Sequence, residues 1–168
     1  MFAHERVHCS IVQVAAWRDG TAEVVSRLRT AGWELPEFGH AWFAPQRLAL
    51  SVVPQRWLLI DEKPDSTLLG DCTAAVGESA AVVELTAARS AWRVTGDAAR
   101  TALAAGCRLD LDPAVFPPGT AAATLIAQVH SVVVAHPECL LLLCSSSVAG
   151  HFGDWLQHVA PATHAAKA

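Results

Sequence analysis

The segment from Trp92 to Gly119 constrains the fold most strongly, because a strand, a helix and two turns follow one another in the short stretch WRVTGDAARTALAAGCRLDLDPAVFPPG. Its first residues alternate between apolar and polar, which predicts a half-buried strand ending near Val94. The short polar residues of Thr95–Asp97 are typical of a helix start. We expect this helix to end at Gly106, in the left-handed conformation that glycine accepts.

The second part of this segment predicts another strand and then two turns. Leu109 and Leu111 resume a period of two, which predicts a strand with Asp110 and Asp112 facing outward. Proline and glycine after these residues predict turns, at Asp112-Pro113 and at Pro117-Pro118-Gly119.

The two halves of the chain resemble each other. Trp17-Arg18 precedes a helix that ends at Gly32, and Trp92-Arg93 precedes one that ends at Gly106, at nearly the same offset. In each half the predicted order is strand, helix, strand, strand, helix. The sequence therefore predicts an α+β fold of two pseudo-repeated split βαβ (ferredoxin-like) halves, about 7–77 and 81–160, packed as one domain over 1–168, with a flexible tail at 161–168.

Apolar periodicity predicts the individual elements. In the first half these are a strand Val7–Ala16, a helix Thr21–Ala31, strands Arg47–Val53 and Trp57–Ile60, and a helix capped by Asp65 or Ser66 with an apolar stripe of Leu68, Leu69, Cys72 and Val76. In the second half they are an extended segment Ala81–Val94, strands Ala121–Ile126, Gln128–Ala135 and Leu140–Cys144, and a helix capped by Ser146 or Ser147 that buries Val148, Phe152, Trp155, Leu156 and Val159.

Charge and cysteine content exclude several classes of protein. The formal net charge of −4 and the dispersed basic residues argue against nucleic-acid binding. The five cysteines are odd in number and irregularly spaced, without a Cys-x-x-Cys motif, so we expect reduced thiols and a cytoplasmic protein. The N-terminus lacks the pattern of a signal peptide, and the densest apolar run, Cys139–Cys144, is too short to span a membrane.

The hydrophobic fraction is high, at 52%, and only 17% of residues are charged, against about a quarter in typical domains. One interpretation is an apolar surface that a partner covers. The other is an alanine-rich composition, which raises the count without creating large patches.

Motifs for chemistry are missing from the sequence. No glycine-rich phosphate loop is present. His4 with His8, and His151 with His158, lack the further ligands that a zinc site needs. We therefore predict no catalytic, cofactor-binding or metal-binding residue in this chain.

Cys107 and the pair Asp110 and Asp112 are the remaining candidates for reactive groups. A helix C-terminus disfavours the thiolate, so Cys107 is predicted to be an inert packed residue. We interpret the two aspartates as exposed acids before a turn rather than an acid–base pair.

Aromatic residues offer candidates for partner contact. The chain has six tryptophans, and Phe116 lies in a loop framed by prolines. Because large aromatic side chains contribute strongly to interfaces, we predict partner contacts by Trp92, Phe116, Pro117, Pro118 and Trp155.

The WRVTGDAAR, AGCRLDLDP, FPPG and DWL segments resemble the gamma subunit of heterotetrameric sarcosine oxidase, and Trp42, Pro45, Arg47 and the WLLI run match more loosely. The resemblance implies a fold related to the folate-binding region of aminomethyltransferases. It also implies a non-catalytic subunit of a cytoplasmic flavoenzyme, which oxidises sarcosine to glycine and yields hydrogen peroxide and methylenetetrahydrofolate.

In that family, the cofactors are held by other subunits. The alpha subunit holds NAD and the folate site, the beta subunit carries FAD and covalent FMN, and the delta subunit binds zinc. The resemblance implies contact with these three subunits, chiefly alpha, and no cofactor in this chain.

Three alternatives stay open from the sequence. The chain is also compatible with a stand-alone folate or small-ligand binding protein, with a pocket between its halves. It is compatible with an ACT-like regulatory module, and with the gamma subunit of an oxidase that acts on another N-methylated amine.

Overall fold

Ten strands and four helices form within residues 2–63 and 66–160, which are the residues that the computed structural model describes. In chain order they are β1 (Ala3–Val7), β2 (Ser10–Ala16), α1 (Thr21–Thr30), β3 (Ala41–Ala44), β4 (Arg47–Val53), β5 (Arg56–Asp61), α2 (Leu68–Val76), β6 (Ala80–Glu84), β7 (Arg89–Thr95), α3 (Ala99–Ala104), β8 (Ala121–Ile126), β9 (Val129–Ala135), β10 (Leu140–Ser145) and α4 (Ala149–Val159).

The strands form two antiparallel sheets of five strands each. The first sheet has the order β3-β4-β5-β2-β6 and the second has the order β1-β7-β10-β9-β8. Each half of the chain thus builds most of one sheet and gives its first strand to the edge of the other. The element order β-β-α-β-β-β-α occurs twice. The α+β fold class is confirmed.

The exchange of first strands corrects two predictions. Val7–Ala16 is not one strand, because the chain leaves the second sheet after Val7 and enters the first at Ser10. Ala81–Val94 is likewise divided between β6 and β7 by a turn. The segment that joins β1 to β2 and the one that joins β6 to β7 lie next to each other at Ile11. The Ile11 N–H donates to Thr86 Oγ1 at 3.0 Å, and the Ile11 carbonyl accepts from the Leu85 N–H at 2.8 Å.

Apolar side chains fill three layers. Between the two sheets lies a core that we call the inter-sheet core, made of Ile11, Leu48, Leu50, Leu58, Ile60, Ala91, Ala121, Val132, Val134, Leu141 and Leu143. Helices α1 and α2 cover the outer face of the first sheet, and α3 and α4 cover that of the second. The order of layers is therefore helix, sheet, sheet, helix, so strands such as β10 are buried on both faces and are continuously apolar.

The helices agree with the predicted pattern except at particular residues. Phe152 and Leu156 of α4 are fully buried, but a short 3-10 turn, Ser146–Val148, precedes this helix and no serine side chain caps it. Leu69 is 38% exposed and does not belong to the buried stripe of α2. Ser66 Oγ accepts a hydrogen bond from the Leu68 N–H, and Asp65 lies outside the described residues, as does the tail 161–168.

One other prediction was wrong, one strand was missed, and one repeated feature differs between the halves. Leu109 and Leu111 form no strand, because Leu111 turns into the core and its carbonyl is bound by Arg100. β3 was missed, although its apolar residues precede a tight turn. Trp17 and Trp92 are not equivalent, since Trp17 follows β2 whereas Trp92 lies within β7.

Gly106 is required for a reason other than the predicted left-handed φ, which it does not adopt. A Cβ atom at Gly106 would lie 2.5 Å from Cζ2 of Trp155, and one at Gly153 would lie 2.7 Å from Cη2 of Trp92. The two glycines leave the space that these indoles occupy. A Cβ at Gly150, in the same helix as Gly153, would meet nothing within 4 Å.

We predict that Gly106→Ala and Gly153→Ala each lower the free energy of unfolding by about 1–3 kcal/mol, because each added methyl group overlaps an indole ring. Gly150→Ala is the matched control and should raise it by up to about 1 kcal/mol through helix propensity. Urea unfolding of the three variants gives these values. Equal stability of Gly153→Ala and Gly150→Ala would contradict the packing described here.

Candidate partner surface and inter-sheet cavity

The loop 111–119, here called the proline loop, carries three of the five predicted contact residues. Phe116 is 4% exposed, and its ring packs in the outer core of the second sheet instead of lying on the surface. Pro117 and Pro118 are exposed, and Val115 is 62% exposed. The loop therefore presents small apolar side chains outward and is anchored by its phenylalanine.

Hydrogen bonds hold the proline loop in one shape. Arg100 Nη1 donates to the carbonyls of Leu111 at 2.6 Å and Phe116 at 2.9 Å. Asp112 Oδ1 accepts from the Ala114 N–H, and Asp110 Oδ1 accepts from the Asp112 N–H. Both carboxylates thus stabilise turns. This arrangement places them in structural roles.

Trp92 and Trp155 are half-buried on the helix-covered side of the second sheet. Each ring packs near Phe152 of α4, with centroids 6.4 Å and 6.1 Å from it. Phe116 belongs to the same core, so the three predicted aromatic contacts share one packing layer. Part of each indole remains accessible at the surface.

A cavity of about 380 Å³ opens between the two sheets at one end of the inter-sheet core. Its apolar lining includes Phe43, Leu48, Ile60 and Leu141, and its polar lining includes Gln46, Glu62, Arg93, Thr95, His136 and Glu138. This volume lies in the range typical of small-ligand sites. A pocket between the halves was expected for the alternative of a ligand-binding protein, but its lining residues, which come from both halves of the chain, were not predicted.

Two of the charged residues that line the cavity, Arg93 and Glu62, are paired with each other. Arg93 Nη2 donates to both carboxylate oxygens of Glu62, at 2.8 Å and 2.9 Å, and Nη1 donates to Glu5 at 2.8 Å. The hydrogen bond to Glu5, with that to Glu62, raises the pKa of Arg93 above its ordinary value. The guanidinium therefore links the sheets and offers little free charge to an anion.

The cysteines are unpaired, and burial keeps several of them protonated. Burial, and then the charge of Glu62, raise the pKa of Cys9 to about 11. Burial, and then Asp71, raise that of Cys72 to about 11, and burial also raises the pKa values of Cys139 and Cys144. Neutral thiols are poor nucleophiles. Cys107 is half-buried against the outer core of the second sheet.

The predicted histidine pairs are separate from any cluster of ligands. His4 lies in β1 and His8 in the crossing that follows it, while His151 and His158 are exposed on α4. In residues 2–63 and 66–160, no three His, Cys, Asp or Glu residues are grouped closely enough to hold a metal ion. No helix in these ranges is long and apolar enough to cross a membrane.

We predict that the free energy of unfolding falls as the pH rises from 9 to about 11. The unfolded chain loses its thiol protons near pH 9.0, whereas folded Cys9 and Cys72 keep theirs until about pH 11, so the stabilising contribution is complete below pH 9 and is lost over this window. The sequence contains no tyrosine to titrate there. Urea unfolding at several pH values gives the decrease in the free energy of unfolding per pH unit, which should be smaller for Cys9→Ala/Cys72→Ala than for the wild type. An unchanged decrease would show that these two thiols do not cause it.

Comparison with solved structures gives two similar folds. One is a chain of the heterotetrameric sarcosine oxidase from Corynebacterium sp. U-96 in complex with pyrrole 2-carboxylate, with a TM-score of 0.83, 24% identity, and coverage of 94% of this chain and 83% of that chain. The other is the glycine cleavage system aminomethyltransferase T from Bartonella henselae, with a TM-score of 0.68, 12% identity, and coverage of 92% of this chain and 45% of that chain. At these identities, both similarities establish the fold, which is the predicted aminomethyltransferase-like one.

No curated protein matches the sequence. The family comparison is more specific than the structural one, because residues 24–162 match the sarcosine oxidase, gamma subunit family. The match covers both halves of the fold and includes the proline loop and the WRVTGDAAR segment. The chain therefore belongs to the sarcosine oxidase gamma subunit family.

Proposed function

We propose that this chain is the non-catalytic gamma subunit of a cytoplasmic, heterotetrameric sarcosine oxidase and stabilises that complex. The complex would convert sarcosine to glycine, with hydrogen peroxide and methylenetetrahydrofolate as the other products. FAD, FMN, NAD, tetrahydrofolate and zinc would be held by the other subunits. The observation that carries this proposal is the match of residues 24–162 to the gamma subunit family.

The chemistry of the described side chains supports a structural role. Arg93 is bound by two carboxylates, and the carboxylates of Asp110 and Asp112 are used in turns. Cys9 and Cys72 have raised thiol pKa values, so they are protonated at neutral pH. These groups stabilise the fold and leave little reactivity for catalysis.

The proline loop is the surface that we assign to the alpha subunit, with Trp92 and Trp155 as further contacts. Apart from Asp112, its exposed side chains are apolar, and Arg100 fixes the backbone of the free chain. A loop that is ordered in advance loses less conformational entropy on binding. Phe116 supports the surface from beneath instead of contacting the partner.

A second candidate function is the binding of a small ligand, and the inter-sheet cavity is the observation that favours it. Calorimetry of the isolated chain with tetrahydrofolate tests this candidate. Binding that is abolished by filling the cavity with Leu141→Trp would support a ligand-binding protein. The same cavity is compatible with a gamma subunit of a related N-methyl amine oxidase, whereas two stacked five-stranded sheets do not fit an ACT-like module.

Co-expression with the alpha, beta and delta subunits tests the proposed function. We expect Val115→Glu and Pro118→Glu to lower recovery of this chain with the alpha subunit at least tenfold, because burying a carboxylate without a partner is unfavourable. Ala22→Glu, on the exposed side of α1, is the control and should assemble normally. Urea unfolding of each purified chain shows whether the variants fold.

Failure of the wild-type chain to join the complex would contradict the proposed function. Normal assembly of both loop variants would contradict only the assignment of the proline loop.

A further inference from the structure

The two exchanged strands, β1 and β6, hold equivalent positions but differ in composition. Each has five residues, is the first strand of its half, and pairs with a single neighbour at the edge of a sheet. β1 reads AHERV and carries three ionisable residues in its centre, whereas β6 reads AAVVE and has none before its last residue. Charged residues are the usual protection of an exposed sheet edge.

The other two edge strands, β3 and β8, are joined to each other at one end by backbone hydrogen bonds. The backbone N–H of Ala41, in β3, donates to the Gly119 carbonyl at 2.9 Å, and that of Ala121, in β8, donates to the Gly39 carbonyl at 2.8 Å. His40 and Thr120 form an antiparallel bridge between them. β1 and β6 are therefore the edges that lack such a connection in the part of the chain that the structure describes.

The register of β6 shows which backbone groups face outward. Ser79 and Leu85, at its two ends, bond to Trp17 and Ile11 of the β2 side, and Val83 lies opposite Gln13. Odd-numbered residues thus exchange hydrogen bonds with β2, so the N–H and C=O groups of Val82 and Glu84 point away from the sheet. Among the described residues these outward groups have no backbone partner.

Two exposed apolar side chains lie beside these backbone groups. Val83 is 45% exposed in the middle of β6. Trp17 is 58% exposed at the start of β6, and its indole Nε1 donates to the Glu78 carbonyl at 2.8 Å. The ring is thus both accessible and held in position, as expected of a residue that anchors an interface.

Charge identifies the kind of strand that fits this edge. Glu78 and Glu84 lie at the two ends of β6, and neither forms an ion pair within residues 2–63 and 66–160. A strand paired with β6 would have small or apolar residues opposite its centre. Lysine or arginine at both ends of that strand would complement the two carboxylates.

We propose that β6 is a docking edge, to which a partner subunit adds an extended strand with an apolar centre and basic ends, and that Trp17 and Val83 contact this strand. The inference rests on the proposed function, because it takes the occupant to be another subunit of the complex. Backbone pairing supplies affinity in this mode, and the flanking side chains supply specificity. β6 is thus a second contact surface, separate in sequence from the proline loop.

Hydrogen exchange of the wild-type chain, free and in the assembled complex, tests the proposal without altering the fold. The outward amides of Val82 and Glu84 should exchange at least tenfold more slowly in the complex. The amide of Val83 is the internal control, because it is already bonded to β2 and should change much less. Unchanged exchange at Val82 and Glu84 in an assembled complex would overturn the proposal while leaving the proposed function intact.

Variants provide an independent test in the same co-expressed complex. Val83→Lys and Trp17→Ala should each lower recovery of the chain with its partners at least tenfold, and Glu84→Lys should lower it through charge repulsion. Leu69→Lys, at a similarly exposed position of α2, is the control and should be within twofold of wild type.

Three outcomes of these measurements are distinct. Normal assembly of Val83→Lys would refute the docking edge. A wild-type chain that joins no complex would refute the proposed function, and this inference with it. Protection of Val82 that increases with the concentration of the isolated chain would mean that a second copy occupies the edge, which also overturns the proposal.

Discussion

The inter-sheet core is the interaction on which the rest of this structure depends. Ile11, Leu58 and Leu143 meet between the two sheets, and their burial requires that the sheets lie face to face. The face of each sheet that points away from the inter-sheet core also carries apolar side chains. Helices must therefore cover this face. Double burial explains part of the high hydrophobic content, since most leucine and isoleucine side chains lie in these cores.

The sequence predicted elements whose pattern is local, and it missed features that depend on distant residues. β4 and β8 were predicted with their observed limits, and Phe152 and Leu156 were correctly placed on the buried face of α4. Strand periodicity looks the same in either sheet, so it does not reveal that the chain changes sheets between Val7 and Ser10. The strand predicted at Leu109 and Leu111 was wrong for a similar reason. Alternating apolar and polar residues do not distinguish a strand from a loop that buries one of its residues.

The candidate surfaces were predicted in part. Prolines and an aromatic residue indicated the proline loop, but its geometry depends on Arg100, whose hydrogen bonds reach residues 11 and 16 positions further along the chain. The cavity and the β6 edge form only when the two halves pack and pair with each other. The sequence of a single segment therefore does not reveal them. Polar groups such as Arg100 form hydrogen bonds that fix the shape of the chain. Apolar side chains of the proline loop and of β6 remain exposed.

Native mass spectrometry of the complex purified after co-expression of all four subunits tests the central claim most directly. We predict one copy of this chain in each heterotetramer, and after gentle dissociation a chain with the mass of its polypeptide alone, while the flavin remains with the other subunits. A chain that leaves the complex with a flavin or another cofactor attached, or that is never found in the complex, would contradict a non-catalytic structural subunit.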